Sequence, residues 1–153
     1  MNIKFIPMHY ERDWDWLQLV LPIPATNKTT GIIAVNEKED GSTEPVGAAL
    51  FDMWTHTGVC VHWWMDTPML IRHGFFNEIC SYVFGECGKN VIIGIIPDNS
   101  VKSMNLAVKL GLVEVGRIKE GYNVGVDQVI LEVRVENAGR WFKPVLNDKE
   151  EAA

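Results

Sequence analysis

The sequence predicts an α/β domain built on a mixed, twisted sheet of about seven strands with roughly three or four helices. Three observations carry this. Residues 91 to 111, VIIGIIPDNSVKSMNLAVKLG, read as a buried strand, a polar turn and a short helix closed by glycine. Residues 31 to 65 hold three apolar strand candidates separated by polar, glycine-containing connections. A helical pattern over residues 72 to 87 joins the last of these to the strand at Val91, and strand, helix, strand at this spacing predicts a right-handed parallel crossover.

Taken in order, Ile3 and Phe5 alternate with Asn2 and Lys4, so MNIKFIPM is a first strand with one buried face, closed by Pro7. Tyr10, Trp14, Leu17 and Leu21 follow helical spacing, with acidic residues in the first turn where the helix dipole favours them. Pro22 and Pro24 end that helix, and residues 22 to 30 read as a loop. Residues 31 to 36 and 45 to 54 are strands joined by the solvated connection EKEDGSTE, and VCVHWWM, residues 59 to 65, is the fourth strand. A helix is expected from Arg72 to Cys87, with Phe75, Ile79 and Val83 along one side and Phe76, Cys80 and Phe84 beside them.

After the strand at Val91, Pro97 cannot join a ladder, and Asp98, Asn99 and Ser100 are residues that cap a helix. Val101, Met104, Val108 and Gly111 predict the apolar stripe of that helix. LVEVGRIK is a strand, EGYNVG a turn-rich excursion and VDQVILEVRVE a half-buried antiparallel strand with Val129, Leu131, Val133 and Val135 on one face. Residues 1 to 136 therefore form the domain and residues 137 to 153 a tail carrying Trp141 and Phe142, its last eight or so residues expected to be loosely ordered.

At 153 residues the chain needs a single core. A formal charge of −6 with no basic stripe argues against a nucleic-acid partner. No run approaches the ~18 apolar residues of a membrane span, and no signal pattern opens the chain, so a cytoplasmic protein with no membrane partner is expected. Cys60, Cys80 and Cys87 cannot all pair and are expected to be reduced. Cys80 and Cys87 share a predicted helix face, where core packing explains them better than a metal, and no metal is expected.

The segment Ser103, Lys109, Leu110, Gly111, Leu112 resembles the late motif of the GNAT acetyltransferase superfamily, an Asn-x-x-Ser/Ala followed by a helix ending in Lys-Leu-Gly-Phe. Leu112 replaces the aromatic, and Asn99 lies one position before the family's Asn, which falls on Ser100. The predicted element order is similar to a GNAT-like fold over residues 2 to 136. In that family a second helix often covers the acceptor, so the loop at 22 to 30 implies a short or irregular lid.

The resemblance implies acetyl-CoA as cofactor, with its pyrophosphate on the loop after the fourth strand, usually QxxGxG or RxxGxG/A. Consecutive free N–H groups at a helix start make an anion site, and glycines let phosphates approach. The matching segment, MDTPMLIRHGFFNEI, keeps one glycine: it implies Arg72 as a phosphate ligand, with backbone at His73, Gly74 and Phe75. The fourth strand would face the pantetheine arm, so Trp63 and Trp64 are either walls of the acyl or acceptor site or rings pinning the sheet to its helices. Asn99 and Ser100 are candidate cofactor or acceptor ligands, and also helix caps. Gly94 implies a close approach by a ligand or by packing.

Amine acetylation needs a base for the ammonium and an acid for the leaving thiolate. The family's acid is often a tyrosine four residues before the helix-ending glycine, and that place is Ala107 here; Tyr122 is the nearest substitute, in the turn-rich excursion. Among His62, Asp66 and Asp52, His62 leads as base because imidazole titrates near neutrality. The implied function is acyl-CoA-dependent N-acetyl transfer to an amine, small molecule or protein, of unknown identity. HWWMDTPMLIRHGFFNEICSYVF with the Gly139, Arg140, Trp141 tail also resembles divergent GNAT proteins of tailed bacteriophages. That resemblance implies a competing reading: an idle protein of head or virion assembly, in host cytoplasm or virion, with phage structural proteins or further copies of itself as partners. Binding of CoA without turnover is a third. A groove between the fourth and fifth strands would favour cofactor binding, and exposed tail aromatics would favour assembly.

Overall fold

The computed structural model describes residues 1–144; the expectation for the last eight residues lies outside them. The elements are β1 (Ile3–Pro7), α1 (Tyr10–Val20), β2 (Thr30–Glu37), β3 (Thr43–Asp52), β4 (Gly58–Met65), α2 (Phe75–Cys80), β5 (Val91–Pro97), α3 (Val101–Leu110), β6 (Val113–Asn123) and β7 (Val126–Arg134). They build a 7-stranded sheet in the order β1, β2, β3, β4, β5, β7, β6. β1 to β4 form an antiparallel meander, β4 meets β5 in parallel, and β7 enters between β5 and β6 antiparallel to both. The mixed GNAT-like sheet expected from the sequence is thus the sheet observed.

Alternation along each strand divides the core in two. Ile32, Ala34, Phe51, Val59, Val61, Ile92, Ile96, Val129, Leu131 and Val133 face α2 and α3. Ile33, Val35, Ala48 and Leu50 face Leu17 of α1 on the opposite side. α1 is anchored by Asp13, which is 4% exposed. Its carboxylate accepts from the His9 N–H at 2.9 Å and from Arg12 Nε and Nη2 at 2.8 and 2.7 Å. Burial pushes the Asp13 carboxyl up, but the Arg12 and His9 hydrogen bonds outweigh it and hold it below the ordinary range.

The single helix expected from Arg72 to Cys87 is replaced by three pieces. A 3₁₀ turn, Pro68–Ile71, comes first. Gly74, at φ +88°, then reverses the chain in the left-handed region that glycine tolerates, and α2 starts only at Phe75. After Cys80 the coil widens into a π-helical stretch, Ser81–Glu86, where the Cys87 N–H reaches back to the Tyr82 carbonyl at 2.9 Å. In this stretch Tyr82 meets the Thr30 hydroxyl of β2 at 2.8 Å.

α3 forms where predicted but in another phase. Val101 and Val108 are 64% and 63% exposed, while Ala107 and Leu110 are buried with Met104 beside them. The buried side of the helix thus includes the small Ala107, which spacing of large apolar residues alone could not show. Ser100 holds the N-cap position without a side-chain cap bond. The turn is closed by backbone: Ser100 N–H to the Pro97 carbonyl, 3.1 Å, and Met104 N–H to the Ser100 carbonyl, 3.0 Å. Asp98 instead accepts from the Asp127 N–H at 3.2 Å, tying the end of β5 to β7. A Cβ at Gly94 would stand 3.2 Å from the Leu112 side chain, so close packing is one reason for the glycine.

β6 is longer than expected and contains Tyr122, which the sequence placed in a turn; the reversal uses only Val124 and Gly125. Beyond β7 the chain packs back on the core. Ala138 is fully buried, Trp141 Nε1 donates to the Leu110 carbonyl at 2.9 Å, and Asn77 Nδ2 donates to the Trp141 carbonyl at 3.1 Å. Trp141 meets Phe76 edge-on at 5.4 Å, and Phe142 packs on Phe84 at 5.7 Å.

The phase of α3 is testable by denaturation. Val108→Lys should change stability by no more than ~0.5 kcal/mol, whereas Leu110→Ala should cost about 2–5 kcal/mol; equal effects would overturn this phase. Because the folded Asp13 carboxyl lies below its unfolded value of about 3.9, its contribution is present above that pH and lost as pH falls through the folded value. Asp13→Asn should therefore lower stability near neutrality and flatten its acid dependence, as read from urea midpoints across pH.

Candidate functional site

β4 and β5 pair only at Gly58 with Val91, Val59 with Ile92 and Cys60 with Ile93. Beyond that the strands part, while β4 stays paired to β3 as far as Met65 and β5 stays paired to β7 as far as Pro97. The split opens a cavity of about 140 Å³ lined by Val61, His62, Trp63, residues 94–97 and Ser103, with Leu21 at its edge. A second cavity, of about 540 Å³, continues along α3 between Trp63, Trp64 and Pro68 on one side and Lys102, Ser103 and Lys109 on the other. Trp63 and Ser103 line both, so the two are parts of one groove.

His62 and Asp52, half-buried on neighbouring strands, are joined by a 2.8 Å contact between Nε2 and Oδ1. With the Nε2 proton donated to that carboxylate, Nδ1 keeps the free lone pair, which is the arrangement a base requires. The pairing of Asp52 with Cys60 puts both on the face that carries His62. Burial, and then the Asp52 charge, push the Cys60 thiol up to about 12, so it remains protonated. Asp66, a further base candidate, is exposed and gives its N–H to the Val46 carbonyl.

The structure brings His62, Trp63 and Trp64 to the groove and leaves other candidates outside its lining. Trp63 packs edge-on to Phe76 on the α2 and α3 side of the sheet, while Trp64 packs against Trp16 on the α1 side, so both rings pin the sheet to its helices. Arg72 and His73 are exposed, and the Phe75 ring is buried in a stack with Phe5. Gly74 caps α2: the Glu78 N–H is bonded to its carbonyl, leaving the preceding N–H groups of that first turn unpaired within the helix. Asn99 is exposed, and Ser100 half-buried just ahead of the groove wall. Tyr122, 61% exposed near the hairpin tip, is separated from β4 by β5 and β7.

The sequence reading missed Lys102, Ser103 and Lys109 as groove residues. Their signal was the i, i+1, i+7 spacing, which puts them on one side of α3 once its phase is known. It also missed the Asp52 and His62 partnership, which depends on the β3 to β4 register. Trp141 and Phe142, whose exposure would have favoured the assembly reading, are half-buried against the core. No helix among the described residues is long and apolar enough to cross a membrane.

No family model matches the sequence, and no curated protein matches it. Solved structures do. Mutant forms of the spermidine/spermine N-acetyltransferase SpeG of Vibrio cholerae align with a TM-score of 0.74 at 10% identity, covering 93% of this chain and 100% of that one. The ribosomal-protein-S5-alanine acetyltransferase of Vibrio fischeri aligns with a TM-score of 0.65 at 14% identity, covering 94% of this chain and 97% of that one. At these identities the likeness is one of fold: the chain has the fold of GNAT acetyltransferases.

Thiol chemistry tests the electrostatics of the site. With Cys60 and Cys80 both held near 12 and buried, about one thiol in ten thousand ionises at pH 8. Alkylation of the native protein followed by mass mapping should label Cys87 alone; modification of Cys60 before unfolding would contradict its placement.

Proposed function

We propose that this chain is an acyl-CoA-dependent N-acetyltransferase that passes an acetyl group directly to an amine. The observation that carries the reading is the parting of β4 and β5 after Cys60 and Ile93, with the His62 and Asp52 pair at the resulting groove. Among the described residues no strand pairs with the edge of β4 from Val61 to Met65 on that side, which leaves its backbone groups for an extended amide-bearing arm. The acetyl-transferring fold of the structural neighbours supports the same reading.

Each residue then has a task. Trp63, on the α3 side of β4, gives the groove an apolar wall. Lys102 and Lys109 supply the positive charge in the wider cavity and suit the phosphates of CoA, alongside the Arg72 to Phe75 loop. His62 Nδ1 takes the proton of the incoming ammonium, and Asp52 stabilises the imidazolium that results. The Ser103 hydroxyl, one helical turn before Ala107 on the same face and lining both cavities, takes the part of proton donor to the leaving thiolate, in the place left without a tyrosine. Acetyl-CoA supplies an activated thioester; the chain supplies orientation and the proton path. The assembly reading gains no comparable support, because the tail aromatics are committed to the core.

Calorimetric titration with acetyl-CoA, CoA and dephospho-CoA tests the reading. Micromolar, saturable binding is expected, and no binding at millimolar cofactor would overturn it. The double variant Lys102→Gln, Lys109→Gln should weaken CoA binding by about tenfold to a hundredfold; if Arg72→Ala does so instead, the phosphates belong to the loop. With an acceptor in hand, His62→Ala should lower kcat by about 10²–10⁴ with the CoA Kd unchanged, and full activity would end the base assignment.

A further inference from the structure

The antiparallel register sets Asp52 directly opposite Cys60, and His62 follows two residues later on the same face of β4. A carboxylate oxygen, a thiol sulfur and an imidazole nitrogen from these residues all lie within 4.8 Å of one another. Zn²⁺ holds cysteine sulfur at about 2.3 Å and histidine nitrogen or carboxylate oxygen at about 2.0–2.2 Å, which spaces tetrahedral donors about 3.5 Å apart. A bound ion would draw in any wider pair and widen the 2.8 Å contact between His62 and Asp52 to that spacing.

We propose that Asp52, Cys60 and His62 form a three-ligand Zn²⁺ site whose fourth position opens into the cavity of about 140 Å³ that His62 lines. The donor set selects the metal: a thiolate with an imidazole is poor for Mg²⁺ or Ca²⁺, which take oxygen. Charge balance favours it as well. The Asp52 carboxylate and a Cys60 thiolate neutralise the dication, so the buried assembly carries no net charge. Coordination displaces the Cys60 thiol proton to solvent and forms a zinc to sulfur bond; nothing is oxidised or reduced.

The site stands independently of acetyl transfer. Combined with the proposed function, it makes zinc an inhibitor. Metal on Nε2 fixes the imidazole proton on Nδ1, removing the lone pair that the amine needs.

The test is Co²⁺ titration of the full chain, reduced with a phosphine that does not bind metal. A near-ultraviolet thiolate-to-cobalt band should appear, saturate at a single equivalent and bleach when Zn²⁺ is added. Asp52→Asn should weaken Co²⁺ binding by about tenfold or more. Cys60→Ser should abolish the band, and Cys87→Ser should leave it intact. No band in the wild-type protein at millimolar Co²⁺, a band that survives Cys60→Ser, or one that vanishes in Cys87→Ser overturns the proposal. Should Cys60→Ser fail to fold, the wild-type, Asp52→Asn and Cys87→Ser titrations decide it.

Discussion

Two parallel strands that pair over three residues and then part create an edge inside a sheet. Backbone donors and acceptors cannot be left dry, so such an edge must face water or a ligand. The rest of the structure is arranged around keeping that opening in place. β3 holds β4 from one side and β7 holds β5 from the other, so neither strand can collapse onto its neighbour. α3 lies along the split with Ala107 buried and Ser103 toward the gap. The same opening puts His62 where a solvent-shielded imidazole meets both a carboxylate and a cavity, a combination that ordinary packing would have closed.

Much of the sheet was legible because β-branched alternation leaves one reading open. Val129, Leu131 and Val133 must share a face, and they do. The segment after β4 was not legible for a physical reason. Apolar residues at spacings of three and four satisfy an α-helix, and they equally satisfy a 3₁₀ turn, a left-handed glycine and a π-helical stretch laid end to end. Gly74 was read as a phosphate neighbour, and its conformation shows that it is also the point at which the chain changes direction. In α3 the larger valines drew the stripe toward Val101 and Val108. The buried side instead includes Ala107, whose hydropathy gives little signal.

The candidate site was legible in part. His62 was visible as a histidine in a buried strand, and Trp63 and Trp64 as its neighbours. Asp52 was visible only as one of several acids, since its value depends on a register fixed by the reversal through residues 53 to 57. There Met53 takes a positive φ of 50°, and the Gly58 N–H closes onto the Thr55 hydroxyl. Lys109 was read only as part of the helix-ending motif, and Lys102 was not singled out. Their meaning is relational, and it appears only when α3 is laid beside the parted strands.

The segment around Trp141 acts across two helices, holding Leu110 at the end of α3 and Asn77 at the start of α2. α3 lines the groove, and Trp141, which ties it to α2, follows all seven strands in the sequence. Synthesis runs from β1 onward, and the β1 to β4 meander can pair as it emerges. The strands that frame the groove are complete only after β7, and α2 and α3 are tied only when Trp141 arrives. A nascent chain therefore carries the acid, the imidazole and the thiol before it carries a finished cleft.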